Sequence, residues 1–236
     1  NERLLQAVAG YTGYLRKLAG RLSHELKTPL AITRSSLDNL SSRDLDPEAE
    51  RFLGRAREGV ERQAAIVRAM SEASRLEATV AAADWEVLDL GELLKGCAEA
   101  WRQLHPERDI RLDVSEQAIR SRVAPELLVQ ALDKLIDNAL GLTGPPQWVE
   151  LSLESKGNWR HIRVRNSGSR LPDSLREQLF DSLVSVRAPG DGGTHLGLGL
   201  YVVRLVVEAH GGTVRVDEFE ENDASGVVFT LSLPAS

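Results

Sequence analysis

Leucines recur through the first forty residues of the chain at steps of three and four. Leu15, Leu18, Leu22, Leu26, Leu30, Leu37 and Leu40, with Thr33 in the series, form one stripe. That period predicts a long amphipathic helix. The polar run "SSRDLDPEAE" then interrupts it. Pro47, followed by Glu48 and Glu50, marks a new helix start: proline lacks an N–H that the first turn leaves unpaired, and carboxylates suit the positive helix end. A second stripe follows through Leu53, Ala56, Val60, Gln63, Val67, Met70 and Ser74. Two long helices with narrow seams and a short connection predict an antiparallel hairpin. One hairpin cannot bury both seams, so the pattern predicts a homodimer whose paired hairpins make a four-helix bundle. A monomeric hairpin packed on the rest of the chain is the alternative.

Beyond it the texture changes. "ATVAAAD", residues 78–84, is small and featureless and reads as a linker. "LGELLKGCAEAWRQL" has helical periodicity, and "DIRLDV" alternates like a strand. "APELLVQALDKLIDNAL" predicts a helix with Pro125 at its start. "WVELSLES" and "HIRVRN" alternate again and are joined through "KGN", a hairpin signal. "LGLGLYVVRLVVEAHGG" opens glycine-rich, runs as a helix and stops at Gly211 and Gly212. "TVRVDE" and "GVVFTLSLP" close the chain as strands. Mixed strands and helices in this order predict an α/β sandwich with helices on one face of a sheet. The expected domains are residues 1–80 and 85–236.

Composition narrows the function classes. The length, 236 residues, suits two domains. A formal net charge of −6, with basic residues scattered among acidic ones, gives no support for nucleic-acid binding. The single cysteine, Cys97, excludes an internal disulfide and a thiolate metal cluster. Its position between Gly96 and Ala98 in an apolar helical pattern reads as core filler. No apolar run approaches the roughly 18–20 residues that span a bilayer, and no stretch reads as a signal peptide. The chain begins at Asn1 rather than Met, so the expectation is a fragment, with any membrane attachment supplied by a missing upstream segment.

The stretch "RLSHELKTPL" carries the most pointed chemistry. Each helical residue turns about 100°, which sets His24 away from the seam residues Leu22 and Leu26 and toward solvent. Thr28, four residues on, shares its face. An exposed neutral imidazole is a nucleophile at whichever nitrogen lacks a proton. A carboxylate such as Glu25 that accepts the Nδ1 hydrogen leaves Nε2 free and favours the charge that develops during attack. Pro29 removes a backbone donor and is expected to loosen or bend the helix beside the histidine.

"LSHELKTPL" resembles the phosphoacceptor box of two-component sensor histidine kinases. "LDKLIDNAL" resembles their N box, "VRNSGSRLP" the first glycine box, "LFDSLVSVR" the F box and "HLGLGLYVVRLVVEAHGG" the second glycine box. Their order and spacing match the family over nearly all of residues 10–236. The resemblance implies a dimerization and phosphotransfer hairpin followed by a Bergerat-type ATP-binding sandwich. It makes His24 the residue that takes the γ-phosphoryl group of ATP and passes it to an aspartate of a response regulator receiver domain. Glu25 would support the nucleophile, and Thr28 resembles the residue that positions water for phosphatase activity. Asn138 matches the N-box asparagine, a hard oxygen ligand suited to Mg²⁺; an asparagine there also suits capping a neighbouring strand end. Asn166 and Gly168 match the first glycine box. Gly197 and Gly199 match the second, where glycine lets the backbone approach phosphates. The segment "VSVRAPGDGGTH", residues 184–195, would be a lid over the nucleotide, with Arg187 within reach of a phosphate or merely solvated. The family implies the cytoplasmic portion of a bacterial inner-membrane sensor.

Departures from the pattern bear on the nucleotide. Lys134 stands where a first N-box asparagine is common, Gly141 where a basic residue is common, and Arg170 where the first box has a later glycine. Asn166 replaces the aspartate that accepts a hydrogen bond from adenine. An amide still accepts that bond, without the strength of a charged acceptor, and can also donate to a 6-oxo purine. Weaker base discrimination is therefore expected, and Lys134, one turn from Asn138 on its face, or Arg170 would offset the lost positive charge. These changes leave a second reading open: a docking scaffold for a response regulator, biased to phosphatase action or without kinase turnover.

Overall fold

The computed structural model describes residues 22–23, 25–43, 45–168, 179–180, 198–221 and 224–236. The chain divides into two units, Asn1–Ala78 and Thr79–Ser236.

In the first unit, residues 25–41 form helix α1, which continues through Pro29. The Thr33 hydroxyl donates to the Pro29 carbonyl at 2.9 Å. Asp46 caps the next helix, accepting from the N–H groups of Glu48 and Ala49 at 2.9 Å each. That helix, α2, spans Pro47–Ala82, so it runs through most of the stretch expected to be a linker. The reason is local: alanines have the highest helix propensity, and no glycine or proline interrupts them. Arg57 to Asp38 at 2.5 Å and Arg34 to Glu61 at 3.2 Å tie the two helices into a hairpin. Within one chain the seam stays open to solvent at Leu22, Leu26 and Leu40.

The second unit is an α/β sandwich. Its main sheet has the order β2–β4–β5–β7–β6, with β2 Asp109–Val114, β4 Trp148–Lys156, β5 Trp159–Ser167, β6 Thr213–Glu221 and β7 Ala224–Pro234. Only β2 and β4 pair in parallel; the other neighbours are antiparallel. Alternation sorts each strand into two faces. Val149, Leu151, Ile162, Val164, Phe229 and Leu231 are buried on the inner face. There they meet helices α3 (Leu90–Leu104), α4 (Pro125–Leu142) and α5 (Leu198–Ala209). The outer face is polar and paired, as in Arg165 with Glu150 at 3.2 Å and with Glu221 at 2.9 Å. Two short strands, β1 Glu86–Asp89 and β3 Arg120–Val123, form a separate antiparallel pair that the periodicity did not predict. Cys97 lies buried in α3, as expected of core filler, and burial pushes its thiol pKa up.

Candidate functional site

Helix α4 is the backbone of the site. Eight of its residues, from Leu127 to Leu140, are buried, and they form one continuous face against the sheet and the neighbouring helices. Its start is fixed remotely, because the Ala124 N–H donates to Nε2 of His210 at 3.1 Å. Its end is held by Arg108, which donates to the Leu140 carbonyl at 2.8 Å and to both oxygens of Thr143. Between these anchors Lys134 and Asn138 lie one turn apart on a common, half-buried face, while Asp137 is exposed. Asn138 makes no side-chain hydrogen bond among the described residues, so the strand-capping role finds no partner there.

Lys134 meets the start of α5. A methyl group placed on Gly199 would touch the Lys134 side chain at Cδ, 3.7 Å away. That is ordinary contact, so the described neighbours do not themselves demand glycine at this position. A glycine in a helix costs roughly 1 kcal/mol relative to alanine, and the packing seen here does not account for it. The Lys134 stem thus lies against the first turn of α5, the end of a helix that favours an anion.

The other wall comes from the end of β5. Asn166 has the same strand parity as Ile162 and Val164, so its side chain points to the helix-bearing face. It is fully buried, and among the described residues neither Oδ1 nor Nδ2 has a hydrogen-bond partner. Its backbone is clamped: a Cβ on Gly226 in β7 would stand 2.0 Å from the Asn166 carbonyl oxygen, so only glycine allows the strands to approach this closely. Two residues on, Gly168 takes φ +114°, in the region that L side chains avoid. Gln147 packs across it, and its Oε1 accepts from the Gly144 N–H at 2.9 Å.

On the hairpin, Glu25 and Thr28 are exposed on α1. His24, Arg187 and Gly197 lie outside the described residues, as do Arg170, His195 and the whole segment 184–195. The structure therefore gathers Lys134 with Gly199, and Asn166 with Gly168, within the second unit. It leaves Glu25 and Thr28 on the first. Among the described residues no three His, Cys, Asp or Glu side chains gather as a metal cluster. Three residues here escaped the sequence reading: Gln147, Gly226 and Arg108. Nothing in their local patterns marks them, since each acts on a residue far along the chain.

Comparisons with known proteins bear on both units. Residues 14–79 match the His Kinase A (phospho-acceptor) domain. Residues 123–236 match the family of histidine kinase-, DNA gyrase B- and HSP90-like ATPases. The sensor protein ChvG of Rhizobium meliloti is 30% identical over 233 residues, covering 94% of this chain and 40% of the relative. The swarming motility regulation sensor protein RssA of Serratia marcescens is 28% identical over 217 residues, covering 91% of this chain and 45% of the relative. The chain thus spans less than half the length of these relatives. Among solved structures, full-length ShkA in complex with AMPPNP aligns with TM-score 0.60 at 24% identity, over 92% of this chain and 45% of that one. The ATP binding domain of PrrB from Mycobacterium tuberculosis aligns with TM-score 0.52 at 26% identity, over 65% of this chain and 98% of that one. No described helix is long and apolar enough to cross a membrane.

Proposed function

The chain belongs to the two-component sensor histidine kinases, and from that premise we propose that it phosphorylates its own His24 from ATP and then hands the phosphoryl group to an aspartate of a response regulator receiver domain. The observation that carries this reading is the pairing, in one chain, of a phospho-acceptor match over residues 14–79 with an ATPase match over residues 123–236. Nε2 of His24 attacks the γ-phosphorus, a nitrogen–phosphorus bond forms, and the bond to the bridging oxygen breaks with ADP as leaving group. Phosphoryl transfer asks the protein mainly for positioning and charge neutralisation. Glu25 accepts the Nδ1 hydrogen and holds the reactive tautomer; Thr28, exposed one turn along, positions water for the reverse task of stripping phosphate from the regulator.

In the second unit Asn166 and Gly168 hold the base, while Lys134 and Gly199, with Arg187 and Gly197, face the phosphates. Asn138 suits Mg²⁺: its half-buried side-chain oxygen has no other described partner and is the hard donor that the ion prefers. The ion, when bound, neutralises charge on the phosphate oxygens. The domain limits proposed are 1–80 and 85–236.

Incubation with γ-labelled ATP and Mg²⁺ should give acid-labile, base-stable label on the native chain. His24→Gln should carry none, and Asn138→Ala should lose at least 90% of the rate. Label persisting in His24→Gln would move the nucleophile elsewhere. One observation favours the scaffold reading: Gly141 is exposed on α4 and supplies no cation where the family often has one. A native chain that binds a receiver domain yet takes up no label decides for it.

A further inference from the structure

The burial of Asn166 stands out among the described residues. Its exposure is 0%, and neither polar atom of its amide has a hydrogen-bond partner among them. Desolvating an amide without replacing its water hydrogen bonds is costly, and native interiors seldom tolerate it. An aliphatic residue would have continued the row of Ile162 and Val164 on the inner face of β5. The position is also rigid. Asn166 is paired with Val149 on one side and Val227 on the other, and the close approach of Gly226 pins its carbonyl. The result is a fixed platform that offers one hydrogen-bond donor and one acceptor at the strand end, two residues before the positive-φ Gly168.

We propose that Asn166 makes the nucleotide site dual in base specificity, so that the chain binds 6-oxo purine nucleotides such as GTP as well as ATP. The proposal rests on the nucleotide-site reading given above. A carboxamide carries an acceptor oxygen and a donor NH₂ side by side. Adenine presents a 6-amino donor next to a ring-nitrogen acceptor; guanine presents a 6-oxo acceptor next to an N1–H donor. A half-turn about the last side-chain bond exchanges oxygen and nitrogen at almost no change in shape. Two hydrogen bonds are therefore available to either base. A carboxylate at the same place has acceptors only: against guanine one oxygen can take the N1–H, but the other is left facing the 6-oxo group, acceptor against acceptor. Since no described group fixes the amide by hydrogen bonding, neither orientation is preferred before the base arrives.

Titration of the full chain with AMPPNP and GMPPNP, each with Mg²⁺, tests this. The native chain should bind the two with dissociation constants within about tenfold of each other. Asn166→Asp, a near-isosteric change that supplies a charged acceptor, should raise the preference for AMPPNP over GMPPNP by a further factor of roughly ten to a hundred, the discrimination typical of a paired base contact. A native chain that binds AMPPNP and rejects GMPPNP a hundredfold overturns the proposal and leaves the nucleotide site standing. That result does not depend on whether the variant folds. Equal discrimination in native and variant chains, with unchanged melting, also overturns it. Binding of neither analogue overturns the nucleotide site itself, and this proposal with it.

Discussion

At the end of α5 the imidazole of His210 is held between two backbone groups. Nδ1 donates to the Val206 carbonyl at 2.7 Å, and Nε2 accepts from the Ala124 N–H at 3.1 Å. That pairing requires the neutral ring with its hydrogen on Nδ1. The Trp85 ring lies against it at a centroid distance of 4.8 Å, and Arg122 lies over the Trp85 ring. Burial lowers the His210 pKa below its ordinary 6.5. As pH falls through that value the unfolded chain takes up the proton first, so stability drops between about 6.5 and the lower folded pKa. Urea unfolding at pH 7.5 and pH 5.5 should show this loss, and His210→Gln should flatten it. His161, whose pKa burial also lowers, contributes in the same direction, and His161→Gln separates its share. A second residue-scale outcome concerns Gly226. Its Cβ would overlap the Asn166 carbonyl, so Gly226→Ala should destabilise the second unit by about 2 kcal/mol or more, read by the same unfolding curve.

Elements were legible where their hydrophobic period is long. Helices α3, α4 and α5 fall close to where their stripes and caps placed them, and Gly211 and Gly212 close the last turn of α5 with N–H groups donated to Glu208 and Val207 at 2.9 Å each. Strands β1 and β3 escaped because four residues apiece carry too little alternation to stand out from loop. They matter to α3. Asp89, the last residue of β1, accepts from the Gly91 N–H at 2.9 Å and from the Ile119 N–H at 3.3 Å, so one carboxylate caps the helix and ties it to the chain entering β3. Asp89→Ala should cost about 1–2 kcal/mol in denaturant unfolding, whereas Asp89→Asn, which keeps an acceptor, should cost less. The end of α2 was misjudged for the opposite reason: small residues signal flexibility only when glycine is among them, and an alanine run prolongs a helix.

For the whole molecule, the hairpin leaves Leu26 and Leu40 exposed within one chain, at 43% and 45%. A seam of that kind matches a second copy, and light scattering should give twice the 25.9 kDa chain mass. Leu26→Glu with Leu40→Glu should shift it toward the single-chain value, because each carboxylate would have to be buried between helices. By itself the sequence determined the types of the long elements, the hairpin's open seam and the exposed face that carries Thr28. These follow from local period and residue identity, which any short window displays; the link to phosphoryl transfer came from the resemblance to sensor histidine kinases. Only the tertiary structure decided that Asn166 is buried with its amide unpaired among the described residues, that Lys134 lies along Gly199, and that His210 holds the start of a helix 86 residues away in the chain. Burial and hydrogen-bond satisfaction depend on which distant segments cover a side chain, and no window of neighbours contains that information.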